Sequence, residues 1–143
     1  MSSLEVFETI ELNKLKYGDY IMLKNEPCII IEKVMSKGGK HGRSKILINA
    51  EEIFSPYRHH QEIFFTDSIV QIPIVKKNKY LVCMIDKNHV TLQDENGVLN
   101  IKEFSDDEIC NEIKNMYDKE YKTIVTIIST CGKYKFCDLS INL

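Results

Sequence analysis

One stretch of this 143-residue chain carries residue types and spacing suited to chemistry: Ser36-Lys37-Gly38-Gly39-Lys40-His41-Gly42-Arg43-Ser44-Lys45. Lys37, Lys40, Arg43 and Lys45 are cationic, His41 is a fifth candidate, and no acid or large apolar residue intrudes. Glycines at 38, 39 and 42 bracket Lys40, which frees it from neighbouring bulk and opens backbone angles closed to other residues. A lysine is a point charge on a flexible stem. Held this way, it can enter a partner's deep pocket or a modifying enzyme's active site. The plainer reading of the stretch is a flexible basic turn.

Other chemistries fit less well. Gly39-Lys40 matches the end of a phosphate-binding loop, but Val34 stands where the first glycine belongs and His41 where a metal-binding hydroxyl belongs. That pattern also needs a strand leading into a helix, not a hairpin. His59-His60 has no third ligand at metal-site spacing, so a solvated loop is expected there. Cys28, Cys83, Cys110, Cys131 and Cys137 are odd in number and form no C-x-x-C. Cys28 and Cys83 sit in apolar runs and Cys110 on or beside an apolar helix face, which points to small buried hydrophobes rather than reactive thiols.

The elements around the loop are short and β-rich. Ile29–Ile31 with Val34 on one side, and Ile46–Ile48 on the other, are β-branched runs that predict two strands holding the basic tip between them. Tyr17–Tyr20 signals a turn, and residues 20–35 read as a tight hairpin with Pro27 at the start of its second strand, where a missing N–H is tolerated. The first twenty residues carry no clear pattern. Residues 62–72 nearly alternate, and no useful helical period precedes residue 73. Residues 1–72 are therefore expected to form a small SH3-like β-barrel.

Pro73 and the basic run through Lys79 predict a connector and a domain boundary. Beyond it come strands at 80–85, 89–93 and 98–101, the last two joined by an Asn96-Gly97 turn with both central residues at positive φ. Ser105-Asp106-Asp107-Glu108 fits a capping box with Ser105 as the cap, and Ile109, Ile113, Met116 and Tyr117 share one helical face. Strands at 123–129 and 134–141 close the chain. This β-β-β-α-β-β order over residues 73–143 is that of an OB-fold barrel, with one helix between its third and fourth strands. A single-stranded RNA-binding OB module with an unmodified basic loop is one function such a chain could serve.

Composition narrows the classes. The net charge is −2, with nine Lys/Arg against ten Asp/Glu in residues 1–72 and ten against eleven in 73–143. Indiscriminate polyanion binding needs a broad cationic excess, so any nucleic-acid contact must be local; between Ser36 and Lys45 there are cations and no acid. The odd cysteines fit a reducing cytosol, the start lacks a secretory pattern, and no apolar run is long enough to span a bilayer.

The loop and its surroundings resemble translation initiation factor five-A of eukaryotes and archaea, a relative of bacterial elongation factor P. The family motif S-K-x-G-K-H-G-x-x-K is met by Ser36, Lys37, Gly39, Lys40, His41, Gly42 and Lys45. Pro27-Cys28, Ile53-Phe54, Pro73 and Leu92-Gln93-Asp94 extend the likeness along most of the chain. Gly38 replaces the usual threonine, residues 55–60 lack the usual lysine pair, and the second barrel lacks an R-x-D near residue 100.

The resemblance implies an SH3-like first domain and an OB second domain. It implies that Lys40 becomes hypusine, with deoxyhypusine synthase adding a spermidine-derived aminobutyl group and deoxyhypusine hydroxylase completing it. No other cofactor is implied and no enzymatic activity of the chain itself. The implied partners are the ribosome, P-site tRNA and rRNA, with no membrane; a homodimer stays open. Lys40 would brace peptidyl-tRNA to promote elongation, notably at consecutive prolines, and termination. Lys37, Gly38, Gly39, His41, Gly42, Arg43 and Lys45 would shape the loop or engage RNA nearby, in the cytoplasm.

Overall fold

In the computed structural model, residues 7–37 and 42–142 are described. The chain divides into two compact units, Met1–Ile74 with Thr130–Lys133, and Val75–Ser129 with Tyr134–Leu143.

The first unit begins with β1 (Phe7–Glu11) and one 3₁₀ turn, Leu12–Lys14, in the stretch whose sequence carried no pattern. Only one side chain of β1 is even half-buried, so it shows no alternation to read. Then follow β2 (Tyr20–Leu23), β3 (Glu26–Ser36), β4 (Lys45–Glu52), β5 (His59–Phe65) and β6 (Ile69–Pro73). β2-β3-β4-β5 form an antiparallel sheet, and β1 pairs with β6. The expected hairpin over residues 20–35 is present. Lys24 and Asn25 turn it with φ of 54° and 64°, the left-handed pair that matches strand twist.

Leu12, Leu15, Ile21, Leu23, Cys28, Ile30, Ile46, Ile48 and Ala50 form this unit's core. In β4 the alternation is regular, with Ile46, Ile48, Ala50 and Glu52 inward. The near-alternating run 62–72 is two strands broken at 66–68, where Ser68 N–H donates to Phe65 O at 3.0 Å. Phe64, Val70 and Ile72 face the core while Ile63, Phe65 and Ile69 face solvent.

The second unit has β7 (Lys76–Asp86), β8 (His89–Gln93), β9 (Leu99–Glu103), α1 (Glu108–Asp118), β10 (Lys122–Thr130) and β11 (Lys133–Asn142). The sheet order is β11-β10-β7-β8-β9, with the helix between the third and fourth strands as the OB order requires. The basic run expected as a connector is instead the start of β7. Lys76, Lys77 and Lys79 pair with Ser129, Ile128 and Thr126, and ladder pairing is a backbone property that their exposed charges do not prevent.

Three local expectations change. At Asn96-Gly97 only Gly97 has positive φ, 81°, and the turn is organised by the Asp94 carboxylate, which accepts from the backbone N–H groups of Asn96 and Val98 at 2.9 Å each. The cap of α1 is Asp107, not Ser105. Asp107 Oδ1 accepts from Cys110 N–H at 2.9 Å, while the Ser105 hydroxyl donates to Asp107 Oδ2 at 2.9 Å. Cys83 is exposed, because the ladder shifts between Val82 and Met84 and a bulged residue there breaks the inward-outward alternation. Cys28 and Cys110 are buried as expected.

The second core joins Val82, Val90, Leu92, Phe104, Val125, Ile127 and Phe136 to Cys110 and Ile113 of the helix. Ile109 and Tyr117 pack against it from the same helix, as their spacing predicts.

Candidate functional site

The β3–β4 ladder runs out to the pair Ser36↔Lys45 and leaves residues 37–44 beyond it. The two strands of this arm thus end at Ser36 and Lys45, as the flanking β-branched runs predict. Lys40, Gly38, Gly39 and His41 lie outside the described residues; Lys37, Gly42, Arg43, Ser44 and Lys45 lie within them.

The outgoing strand is fixed at its base. Lys33 Nζ donates to Leu15 O at 2.5 Å and to Asn13 O at 3.2 Å, which ties β3 to the 3₁₀ turn. Further out, Val34 and Met35 are solvent-exposed, as is Lys37. Val34 stands opposite Leu47, and Leu47 opposite Ile63, so an apolar row crosses the outer face of β3, β4 and β5 below the tip.

The returning side is held differently. Arg43 Nη2 donates to Asp67 Oδ1 at 2.5 Å, and the guanidinium lies 4.0 Å from the centroid of the Phe65 ring. Lys45, directly opposite Phe65 in the ladder, has its ammonium 5.9 Å from the same ring. The backbone joins in, since Thr66 N–H donates to Ser44 O at 3.2 Å. Phe65 and Asp67 were not legible as site residues. Their part depends on the β4–β5 register, which no spacing along the chain reveals.

His59-His60 is not a loop. Both residues are in β5, and His60 Nε2 lies 2.6 Å from Glu52 Oε2 with the two side chains mostly covered. Cys28 is the ladder partner of Glu52, which brings thiol, carboxylate and imidazole to one corner. This corner is no nucleophilic site. Burial, with nearby Glu52 and Glu26 carboxylates, pushes the Cys28 thiol up to about 11 against a smaller lowering from a backbone hydrogen bond of Leu23. A buried thiol that stays protonated is not a nucleophile. Among the described residues no group of His, Cys, Asp and Glu is placed to hold a metal ion, and no helix is long and apolar enough to cross a membrane.

Comparison with known proteins places these features. Residues 7–68 match the family model "Translation initiation factor 5A-like, N-terminal", and residues 74–139 match "Eukaryotic elongation factor 5A hypusine, DNA-binding OB fold". Translation initiation factor 5A of Korarchaeum cryptofilum is 37% identical over 111 residues, covering 75% of this chain and 81% of that protein. The chain belongs to the translation initiation factor 5A family.

Eukaryotic translation initiation factor 5A of Dictyostelium discoideum is 30% identical over 127 residues, covering 87% of this chain and 78% of that protein. Among solved structures, a translation initiation factor 5A family protein from Naegleria fowleri superposes with a TM-score of 0.82 at 27% identity, covering 94% of this chain and 99% of that one. The factor 5A of Methanococcus jannaschii superposes with a TM-score of 0.74 at 24% identity, which supports the fold. The SH3-like and OB assignments are thus those of the 5A family, and the chain is a translation factor of the hypusine-domain type.

Proposed function

We propose that Lys40 is the residue converted to hypusine, and that the chain binds the ribosome and braces P-site peptidyl-tRNA through it. The observation that carries this reading is the motif Ser36–Lys45, seven of whose ten positions agree with the family pattern, at the end of the β3–β4 arm of a factor 5A chain. An aminobutyl extension roughly doubles the reach of a lysine and adds a second cationic centre. Such a dication can follow the phosphates of a tRNA acceptor end, with Lys37, His41 and Lys45 supporting it.

Proline fixes φ near −65° and restricts how a nascent chain can be aligned for reaction. Holding the peptidyl-tRNA in a productive geometry supplies orientation, which alone can lower a barrier by several kcal/mol. The factor positions and the ribosome catalyses, so elongation at consecutive prolines and termination are the steps served. Deoxyhypusine synthase and deoxyhypusine hydroxylase are the modifying partners, and the cytoplasm is the compartment.

Peptide mass analysis of the protein from its own cells tests the modification directly. An aminobutyl-hydroxyl increment on the Lys40 peptide is expected, and an unmodified peptide would favour the RNA-binding OB module with a plain basic loop. In cells depleted of the parent, Lys40→Arg keeps the charge but cannot be modified. Rescue of proline-rich translation by that variant would end the proposal.

A further inference from the structure

Arg43 is the loop cation whose surroundings conflict with a phosphate-binding role. Its guanidinium already has an acid at one edge and an aromatic ring beneath it. We propose that Arg43 is a positioning residue: held by Asp67 and Phe65, it pins the returning arm of the loop to the β5–β6 turn and fixes the root from which Lys40 is presented.

Three observations converge. Gly42 immediately precedes Arg43, so the anchor sits directly after the last of the three glycines, the residue type with the widest choice of backbone angles. The contacts come from one turn, with Phe65 giving its ring face, Thr66 its N–H to Ser44 O at 3.2 Å, and Asp67 its carboxylate. Moreover, Asp67 is exposed beside a loop proposed to meet phosphates, where an uncompensated acid would repel them. The Arg43 pairing offsets that charge. A guanidinium is suited to both contacts at once, since its plane stacks on the ring while its edge meets the carboxylate; an ammonium cannot do both.

Both side chains are more than half exposed, 59% for Arg43 and 73% for Asp67, so each contact alone is weak. Acting on one short turn, the ion pair and ring contact together shift a local opening equilibrium by about fivefold.

The presentation role rests on the reading of Lys40 as the modified residue, and the test separates the two. The first measurement is amide hydrogen exchange of Thr66 in the unmodified chain, for Arg43→Ala, Arg43→Lys, Asp67→Asn and the parent. A pin predicts that Arg43→Ala speeds exchange about fivefold, that Asp67→Asn, which keeps the ring contact, speeds it by a smaller factor, and that Arg43→Lys recovers only part of the protection. Unchanged exchange in Arg43→Ala overturns the pin, whatever happens at Lys40.

The second measurement is kcat/KM of deoxyhypusine synthase on the same variants. Positioning predicts that Arg43→Ala and Asp67→Asn lower kcat/KM in the same direction, several-fold each. A direct charge contact with the enzyme predicts opposite signs in kcat/KM, with Asp67→Asn, which frees the cation, raising it and Arg43→Ala lowering it. Opposite signs therefore overturn the proposal. A parent chain that the synthase does not modify at all refutes the reading of Lys40 and leaves the exchange result to decide the pin.

Discussion

The start of α1 offers a quantitative test, because the sequence pattern and the structure name different capping residues. The pattern Ser105-x-x-Glu108 makes Ser105 the cap, whereas the structure gives that part to Asp107, whose carboxylate accepts from Cys110 N–H at 2.9 Å. An Asp-to-Ala change at a helix N-cap costs about 1 kcal/mol, within a range of 0.5–2. The helix it starts buries Cys110 and Ile113 in the second core, so the loss is carried into that unit rather than confined to one turn. Ser105 supplies a hydroxyl to Asp107 Oδ2 from an exposed position, and Ser105→Ala is expected to cost about 0.5 kcal/mol or less.

The assay is urea denaturation followed by far-ultraviolet circular dichroism at 222 nm, for Asp107→Ala, Asp107→Asn, Ser105→Ala and the parent. The expected order of loss is Asp107→Ala well above Ser105→Ala, with Asp107→Asn nearly neutral because an amide oxygen can still accept. The pH dependence adds a second check. Burial pushes the Asp107 carboxyl up, but the hydrogen bonds from Cys110 and Ser105, with Lys135 nearby, outweigh it, and the net displacement is below the usual 3.8. The unfolded carboxyl therefore binds its proton first as the pH falls. Stability from this group is complete above about 4 and lost as the pH drops through the lower folded value. Asp107→Ala should flatten that acid limb. A larger loss for Ser105→Ala than for Asp107→Ala would refute the assignment.

Three further outcomes are expected. At pH 8, a thiol reagent should label the exposed Cys83 and Cys137 first and leave Cys28 and Cys110 untouched until the chain unfolds, as counted by mass; prompt labelling of Cys28 would contradict its burial. Burial pushes both the Cys28 and Cys110 thiols up to about 11 from 9.0, so unfolded thiols ionise first and stability should fall between pH 9 and 11, a fall that Cys110→Ala should reduce in denaturation curves. Phe136, 1% exposed and 5.2 Å from the Phe104 ring, should cost about 3–5 kcal/mol on truncation to Ala. Loss of protection in amide exchange should fall on β7–β10 while β2–β4 keep theirs, and a uniform loss would show that the two cores unfold as one.

What the sequence determined by itself was much of what depends on local periodicity and composition. The β-branched runs on either side of the loop, the Gly-framed lysine, the helical spacing of Ile109, Ile113 and Tyr117, and the β-β-β-α-β-β order all follow from near neighbours. The family motif was legible for the same reason, being contiguous. Tertiary structure decided what depends on register. Phe65 became a platform for Arg43 because β5 pairs with β4 at Lys45↔Phe65, and His60 was drawn out of an expected loop into a pair with Glu52 by the same ladder. The strand at Phe7–Glu11 exists because β6 offers it a partner, not because its residues alternate. Cross-strand partners are distant along the chain, and a shift of one residue would exchange every inward side chain for an outward one. Only the folded sheet could show that one of the loop's cations is already paired at its root.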